Sequence, residues 1–158
     1  MGELATAVQT YLREGLAESC PSVAWETEYR VGGTPVDVAG FAGQQGYLVE
    51  LEWRRADPAD NTAKLFRHLD AGEFDGEQVT VFQVFTGYYD LKRGGVSSKR
   101  KNAEFVGRVG EETVDSLSYT AVDFDLVPPK RGGRPPGDWE TAADAVIESL
   151  RGEIHGDQ

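Results

Sequence analysis

Between Trp25 and Trp53 two runs of period-two alternation flank a third β-rich run, separated by two glycine-bearing turns, and this confines the stretch to a three-strand antiparallel meander. In residues 25–31, Trp25, Thr27, Tyr29 and Val31 are expected on one face, and Glu26, Glu28 and Arg30 on the other. Gly32-Gly33-Thr34-Pro35 turns the chain into a second strand, Val36 to Phe41. Gly43-Gln44-Gln45-Gly46 turns it again into a third, Tyr47 to Trp53, with Tyr47, Val49, Leu51 and Trp53 on a shared apolar face.

The flanking segments switch to helical spacing. Leu4, Val8, Leu12 and Leu16 recur every four residues across 2–19, a helix stopped by Pro21. Asp57-Pro58 opens a second helix, with Asp57 as cap, Pro58 at the first helical position, and Leu65, Phe66 and Leu69 as its apolar stripe. Val79 to Tyr89 is rich in β-formers and reads as a buried strand. A helix over 98–109 is expected to turn Phe105, Val106 and Val109 inward, and Ser118 to Val127 reads as another strand. The run Pro128-Pro129-Lys130-Arg131-Gly132-Gly133-Arg134-Pro135-Pro136 excludes regular structure and predicts an exposed loop. Asp138 then caps a last helix carrying Trp139, Ala143, Val146, Ile147 and Leu150 on one face. There are no internal repeats and no low-complexity linker. The expectation is one α/β domain over 1–158: a mixed sheet with a three-strand antiparallel meander flanked by helices.

Composition narrows the function classes. No run approaches the ~20 apolar residues of a spanning helix, and no basic stretch precedes an apolar one at the amino terminus, so membrane insertion and secretion are not expected. The single cysteine, Cys20, rules out an internal disulfide and a cysteine-built zinc site, which points to a reducing cytoplasm. Twenty-seven acids against sixteen bases leave a net charge of −11, contrary to a nonspecific nucleic-acid coat. Eleven of the bases are Arg and five are Lys, an acidic, Lys-poor balance of the kind a salt-adapted (halophilic) cytoplasm favours, because salt screens self-repulsion.

Chemistry concentrates on the second hairpin. Glu50 and Glu52 lie two apart on a strand, on the face opposite its apolar row. If Ala42 pairs with Tyr47, Asp37 falls directly opposite Glu52 and diagonal to Glu50, with Cβ separations of ~5 Å and ~7–8 Å. Three acids so close repel one another and call for a cation, and a hard divalent ion such as Mg²⁺ suits a few carboxylates plus water. The competing reading is the solvated polar face of an alternating strand, balanced by Arg30, Arg54 or Arg55.

Pro35-Val36-Asp37, a short hairpin, then Val49-Glu50-Leu51-Glu52, set in a helix, three strands, helix, strand order, resembles the PD-(D/E)XK nuclease superfamily over roughly residues 2–90. Glu50-Leu51-Glu52-Trp53 running into Asp57-Pro58 is similar to certain type II restriction endonucleases. The resemblance implies a restriction-endonuclease-like αβββαβ core, with residues 91–158 as an additional helix, strand, basic loop and C-terminal helix. It implies Mg²⁺-dependent hydrolysis of DNA phosphodiesters, with Mn²⁺ as a substitute and Asp37 and Glu50 as metal ligands. Glu52 stands where the superfamily usually has Lys, and would serve as a second ligand or as the base. The same replacement suits an alternative: a catalytically inactive member that binds nucleic acid or a protein partner. Glu3, near the start of the first helix, matches the acid that many members carry there and would be a further metal ligand, although the helix dipole alone also favours an acid at that place.

Half of the bases fall in two short segments: Lys92, Arg93, Lys99, Arg100 and Lys101, then Lys130, Arg131 and Arg134. Backbone phosphates are the expected partner, with Gly94-Gly95 letting the first segment move, and balancing of the acidic surface is the competing explanation. Lys64, Arg67 and His68 read as a solvated helix face, Gln83 as a polar interruption of an apolar strand that needs a partner, and Cys20 as a small buried residue. A homodimer would allow both DNA strands to be cut.

Overall fold

A computed structural model describes residues 2–156. The chain runs α1 (Glu3–Ser19), β1 (Ala24–Val31), β2 (Thr34–Ala42), β3 (Gln45–Glu52), α2 (Pro58–Asp70), β4 (Gln78–Phe85), a 3₁₀ turn (Gly87–Tyr89), α3 (Ser98–Thr113), β5 (Leu117–Asp123) and α4 (Trp139–Gly156). The five strands form one mixed sheet in sequential order, antiparallel from β1 to β3 and parallel from β3 to β5. Helices cover both faces, which is what parallel strands require of their surroundings. On one face α1 and α4 enclose Val8, Leu12, Leu16, Ile147, Leu150 and the expected β3 row Tyr47, Val49 and Leu51, with Trp53 packed against it. On the other, Leu65, Phe66 and Leu69 of α2 pack on Leu48, Val79 and Val81. No helix among the described residues is long and apolar enough to cross a membrane.

The α/β class, the meander and the helix order match expectation, with the ends shifted. β4 stops at Phe85 and the chain coils into the 3₁₀ turn, so Tyr88 and Tyr89 leave the strand. β5 starts at Leu117 and ends at Asp123, and residues 124–127 run on outside the sheet. The expected inward face of α3 is displaced: Arg100, Ala103 and Gly107 are buried and Val106 is half-buried, while Phe105 and Val109 are 49% and 47% exposed. The reason is close approach. A Cβ at Gly107 would overlap the Tyr119 ring and one at Gly110 the Phe66 ring, so α3 docks by its small residues rather than its large ones.

Two further differences arise at the hairpins. The β2–β3 loop is two residues long, with Ala42 paired to Gln45 and Gly43 at φ 60°, the left-handed first position of a turn that matches strand twist. Gly46, expected in the turn, is inside β3, where the Phe74 ring fills the space a Cβ would take. The register is therefore Val38 with Val49, two residues away from the expected one. The second difference is a break of alternation. Trp25 packs toward α1 and α4, whereas Tyr29 and Val31 pack toward α2, and on β2 Val38 and Val36 divide the same way. The break coincides with Glu28, whose φ of 54° is the one positive value on a described residue other than glycine. Beyond it the hairpin tip folds over α2, with Gly32 against His68 and Glu73.

Candidate functional site

The strands diverge where the acids stand. β2 pairs with β3 only as far as Val38 and Val49, while β3 continues beside β4 to Glu52 and Phe85. This fork leaves the Leu51 N–H without a strand partner, and it donates instead to the Asp37 carboxylate, N to Oδ2 2.7 Å. Asp37 thus sits beside Glu50 rather than opposite Glu52, and the Asp37 and Glu50 carboxyls share a hydrogen bond. The two-residue shift preserves strand parity, so the acids stay on one face despite the changed register. The site opens at the carboxyl end of β3, the end of a parallel sheet at which ligand crevices form.

Burial dominates the electrostatics. It raises the Asp37 pKa, opposed by the Leu51 N–H and by the Glu50 hydrogen bond. Glu50 is pushed well above the usual carboxylate range by burial and by the charges of Asp37 and Glu52. The pair therefore retains a proton into the range where free carboxylates are ionised. Glu50 is 6% exposed, and its Oε1 has no hydrogen-bond partner. Glu52 is 1% exposed and its pKa is also raised by burial, but it is far better supported. Its Oε1 accepts from Asn61 Nδ2 at 2.8 Å and Gln83 Nε2 at 3.0 Å, and its Oε2 faces Arg55 Nε at 3.5 Å. Gln83 also donates to Thr62 Oγ1 (2.7 Å) and accepts from the Tyr119 hydroxyl (2.6 Å), so the polar interruption of β4 is fully engaged behind Glu52.

A fourth carboxylate and its clamp were not singled out from sequence. Gln9 on α1, 3% exposed, donates from Nε2 to Glu28 Oε1 (3.1 Å) and to the Asp37 backbone carbonyl (2.8 Å), pinning β1 and β2 together at their shared break. The Gly32-Gly33 turn carried the signal: a two-residue loop pairing Val31 with Thr34 brings Glu28 level with Asp37.

Asp37, Leu51 and Trp53 line a cleft of about 700 Å³ with Arg54, Arg55 and Arg131. Glu3 lies in an adjoining cavity of about 450 Å³, beside Lys130 and Arg131, and does not line the Asp37 cleft. Arg54 Nη1 donates to the Pro129 carbonyl at 3.3 Å, which ties the second basic loop to the end of β3. Of the first basic segment, Lys92, Arg93, Lys99 and Lys101 are exposed. Arg100 differs from the expected phosphate contact. It is 7% exposed, with Nη2 on Asp123 at 2.6 Å, Nε on Glu104 at 3.2 Å and its guanidinium 4.7 Å from the Phe85 ring centre. Gly94 and Gly95 sit at φ 96° and 80° in a closed loop with Leu91 N–H on the Gly95 carbonyl and Asp90 bridged to Val96, an ordered turn rather than a loose arm.

The expected convergence of three acids on one cation takes a different form. Glu52 is drawn toward α2 by Asn61 and Gln83, and no group of three or more His, Cys, Asp or Glu among the described residues is arranged to hold a metal. The Asp37–Glu50 pair remains: two hard oxygen donors, one with an orphaned buried atom, a donor set that fits a divalent cation completed by water. Compared with known proteins, the chain matches no family model and no curated sequence.

Proposed function

We propose that this protein is a PD-(D/E)XK-type nuclease with a restriction-endonuclease-like core, hydrolysing DNA phosphodiesters with Mg²⁺, or Mn²⁺ in its place. The observation that carries this reading is the Asp37–Glu50 pair, with Glu50 buried and short of a partner at Oε1 and Asp37 half-buried in the wall of a cleft that Arg54, Arg55 and Arg131 also line. Like charges buried together are unfavourable without a positive partner, and such arrangements mark functional sites.

Asp37 and Glu50 are the residues that would hold the ion, which when bound would polarise the phosphodiester and acidify a water. Arg54, Arg55 and Arg131 neutralise the phosphate and orient it toward the pair. Arg55 also faces Glu52 Oε2, which carries no hydrogen bond and is the carboxylate oxygen left to take a proton from water. Asn61 and Gln83 hold that carboxylate in place.

Incubation of the native protein with supercoiled plasmid and linear single-stranded DNA, in Mg²⁺ or Mn²⁺ at low and molar salt, tests the reading. Cleavage abolished by both Asp37→Asn and Glu50→Gln is the expected result. Binding of DNA without cleavage under every condition overturns it in favour of the inactive binding protein. The observation on that side is Glu52, immobilised where the resembled family usually has Lys.

A further inference from the structure

Tyr88 is 40% exposed, and neither strand periodicity nor core packing accounts for its position. Its 3₁₀ turn is bolted to the end of β3. The Thr86 N–H donates to the Glu52 carbonyl at 3.2 Å, the Thr86 hydroxyl donates to the Trp53 carbonyl, and the Tyr89 hydroxyl donates to the Arg55 carbonyl at 3.0 Å. Tyr89, fully buried, meets the Tyr88 ring edge-on with centroids 5.1 Å apart. The ring is therefore held rigidly beside the same Trp53–Arg55 segment that lines the Asp37 cleft. Val127, 67% exposed, adjoins the turn at Gly87 and extends the apolar surface.

Two cations attend this ring. Arg54 lies 5.8 Å and Lys99 5.7 Å from its centroid. Both side chains are exposed, so each contact is weak and exchanges readily for a phosphate. Arg54 also reaches the Pro129 carbonyl, so one of these cations is tied to the second basic loop, while Lys99 belongs to the first basic segment. An exposed aromatic on an anchored turn, flanked by releasable cations beside an arginine-lined cleft, is the arrangement that grips an unpaired strand: the base takes the ring face and the cations take the adjoining phosphates.

We propose that the substrate is single-stranded DNA, with one unpaired base stacked on Tyr88 and the neighbouring phosphates on Arg54, Lys99 and Arg131, next to Asp37 and Glu50. This rests on the nuclease reading for the nature of the ligand and goes beyond it in naming the strand. A duplex base is covered on both faces by its neighbours and offers Tyr88 nothing to stack on. One copy of the chain suffices to cut one strand.

The test separates stacking from cleavage by measuring binding in EDTA. Fluorescence anisotropy is read with a labelled fifteen-residue oligothymidylate, with an abasic strand of the same length, and with a duplex of that length. The native protein is expected to bind the oligothymidylate tightest. Tyr88→Ala is expected to weaken that binding by roughly 5- to 150-fold, the equivalent of about 1–3 kcal/mol for one base–aromatic stack, and to leave abasic binding unchanged. Tyr88→Phe, which keeps the ring, is expected to bind like the native protein. Equal loss on the abasic strand, no loss on either, or tighter native binding to the duplex each overturns the proposal. Mg²⁺-dependent cleavage with a Tyr88-indifferent duplex preference would sink the stack and leave the nuclease standing. A Tyr88-dependent single-strand preference without cleavage would do the reverse.

Discussion

Replacing Glu50 by Gln is expected to stabilise the metal-free protein, and by an amount that grows with pH. Glu50 is 6% exposed, lies beside two other carboxylates and has an oxygen without a partner. Gln keeps the shape and can still donate to Asp37, but carries no charge. Because burial and the Asp37 and Glu52 charges raise the folded pKa of Glu50 well above its ordinary value, the folded protein binds a proton that the unfolded chain has released. Its stability contribution is thus fully present below about pH 4, the unfolded value, and is lost as pH rises through the raised folded pKa. The variant lacks that loss. At pH 4 the two proteins should be nearly equal. By pH 8 the variant should lead by about 1–3 kcal/mol, the desolvation cost that falls on the unpartnered buried oxygen once the carboxyl is ionised. In a chain of 158 residues this corresponds to roughly 2–12 °C in Tm. Chemical denaturation at pH 4, 6 and 8 in EDTA measures the difference, and a repeat with Mn²⁺ should raise the native protein and leave the variant unmoved. Parallel pH profiles for the two proteins, or a variant less stable than native at pH 8, would falsify the account of a strained carboxylate pair.

Other sites yield sharper structural checks. Gly46→Ala should cost about 1–3 kcal/mol, because the new methyl enters the Phe74 ring, and thermal melting should show the loss. Arg100→Ala should lower the unfolding free energy by about 2 kcal/mol through lost packing on Phe85 and lost pairing with Glu104 and Asp123, without a specific effect on DNA affinity. Arg54→Ala should do the opposite: stability within about 0.5 kcal/mol of native, and weaker DNA binding with a shallower salt dependence by fluorescence anisotropy.

The helices and strands were legible because each carries one dominant periodicity. Leu4 to Leu16, Tyr47 to Trp53 and the Asp57-Pro58 start all stand where their spacing and caps place them. Asp37, Glu50 and Glu52 could be chosen from sequence because three acids interrupting an apolar hairpin need an explanation. Their assignment to one face survived a wrong register, since a shift of two residues leaves parity intact.

What required the tertiary structure was every quantity that depends on a neighbour distant in the chain. The turn at Gly43 and the strand position of Gly46 are decided by Phe74 filling the gap. The inward face of α3 is decided by Phe66 and Tyr119, which leave room for glycine but not for Phe105. The fork at Leu51 parts Glu50 from Glu52: one carboxylate joins Asp37, the other is taken by Asn61 and Gln83. Local periodicity sets which residues form an element, because backbone geometry repeats along the chain. It carries no information on which partner arrives from across the sheet, and burial, charge and proton affinity at this site are all set by such partners.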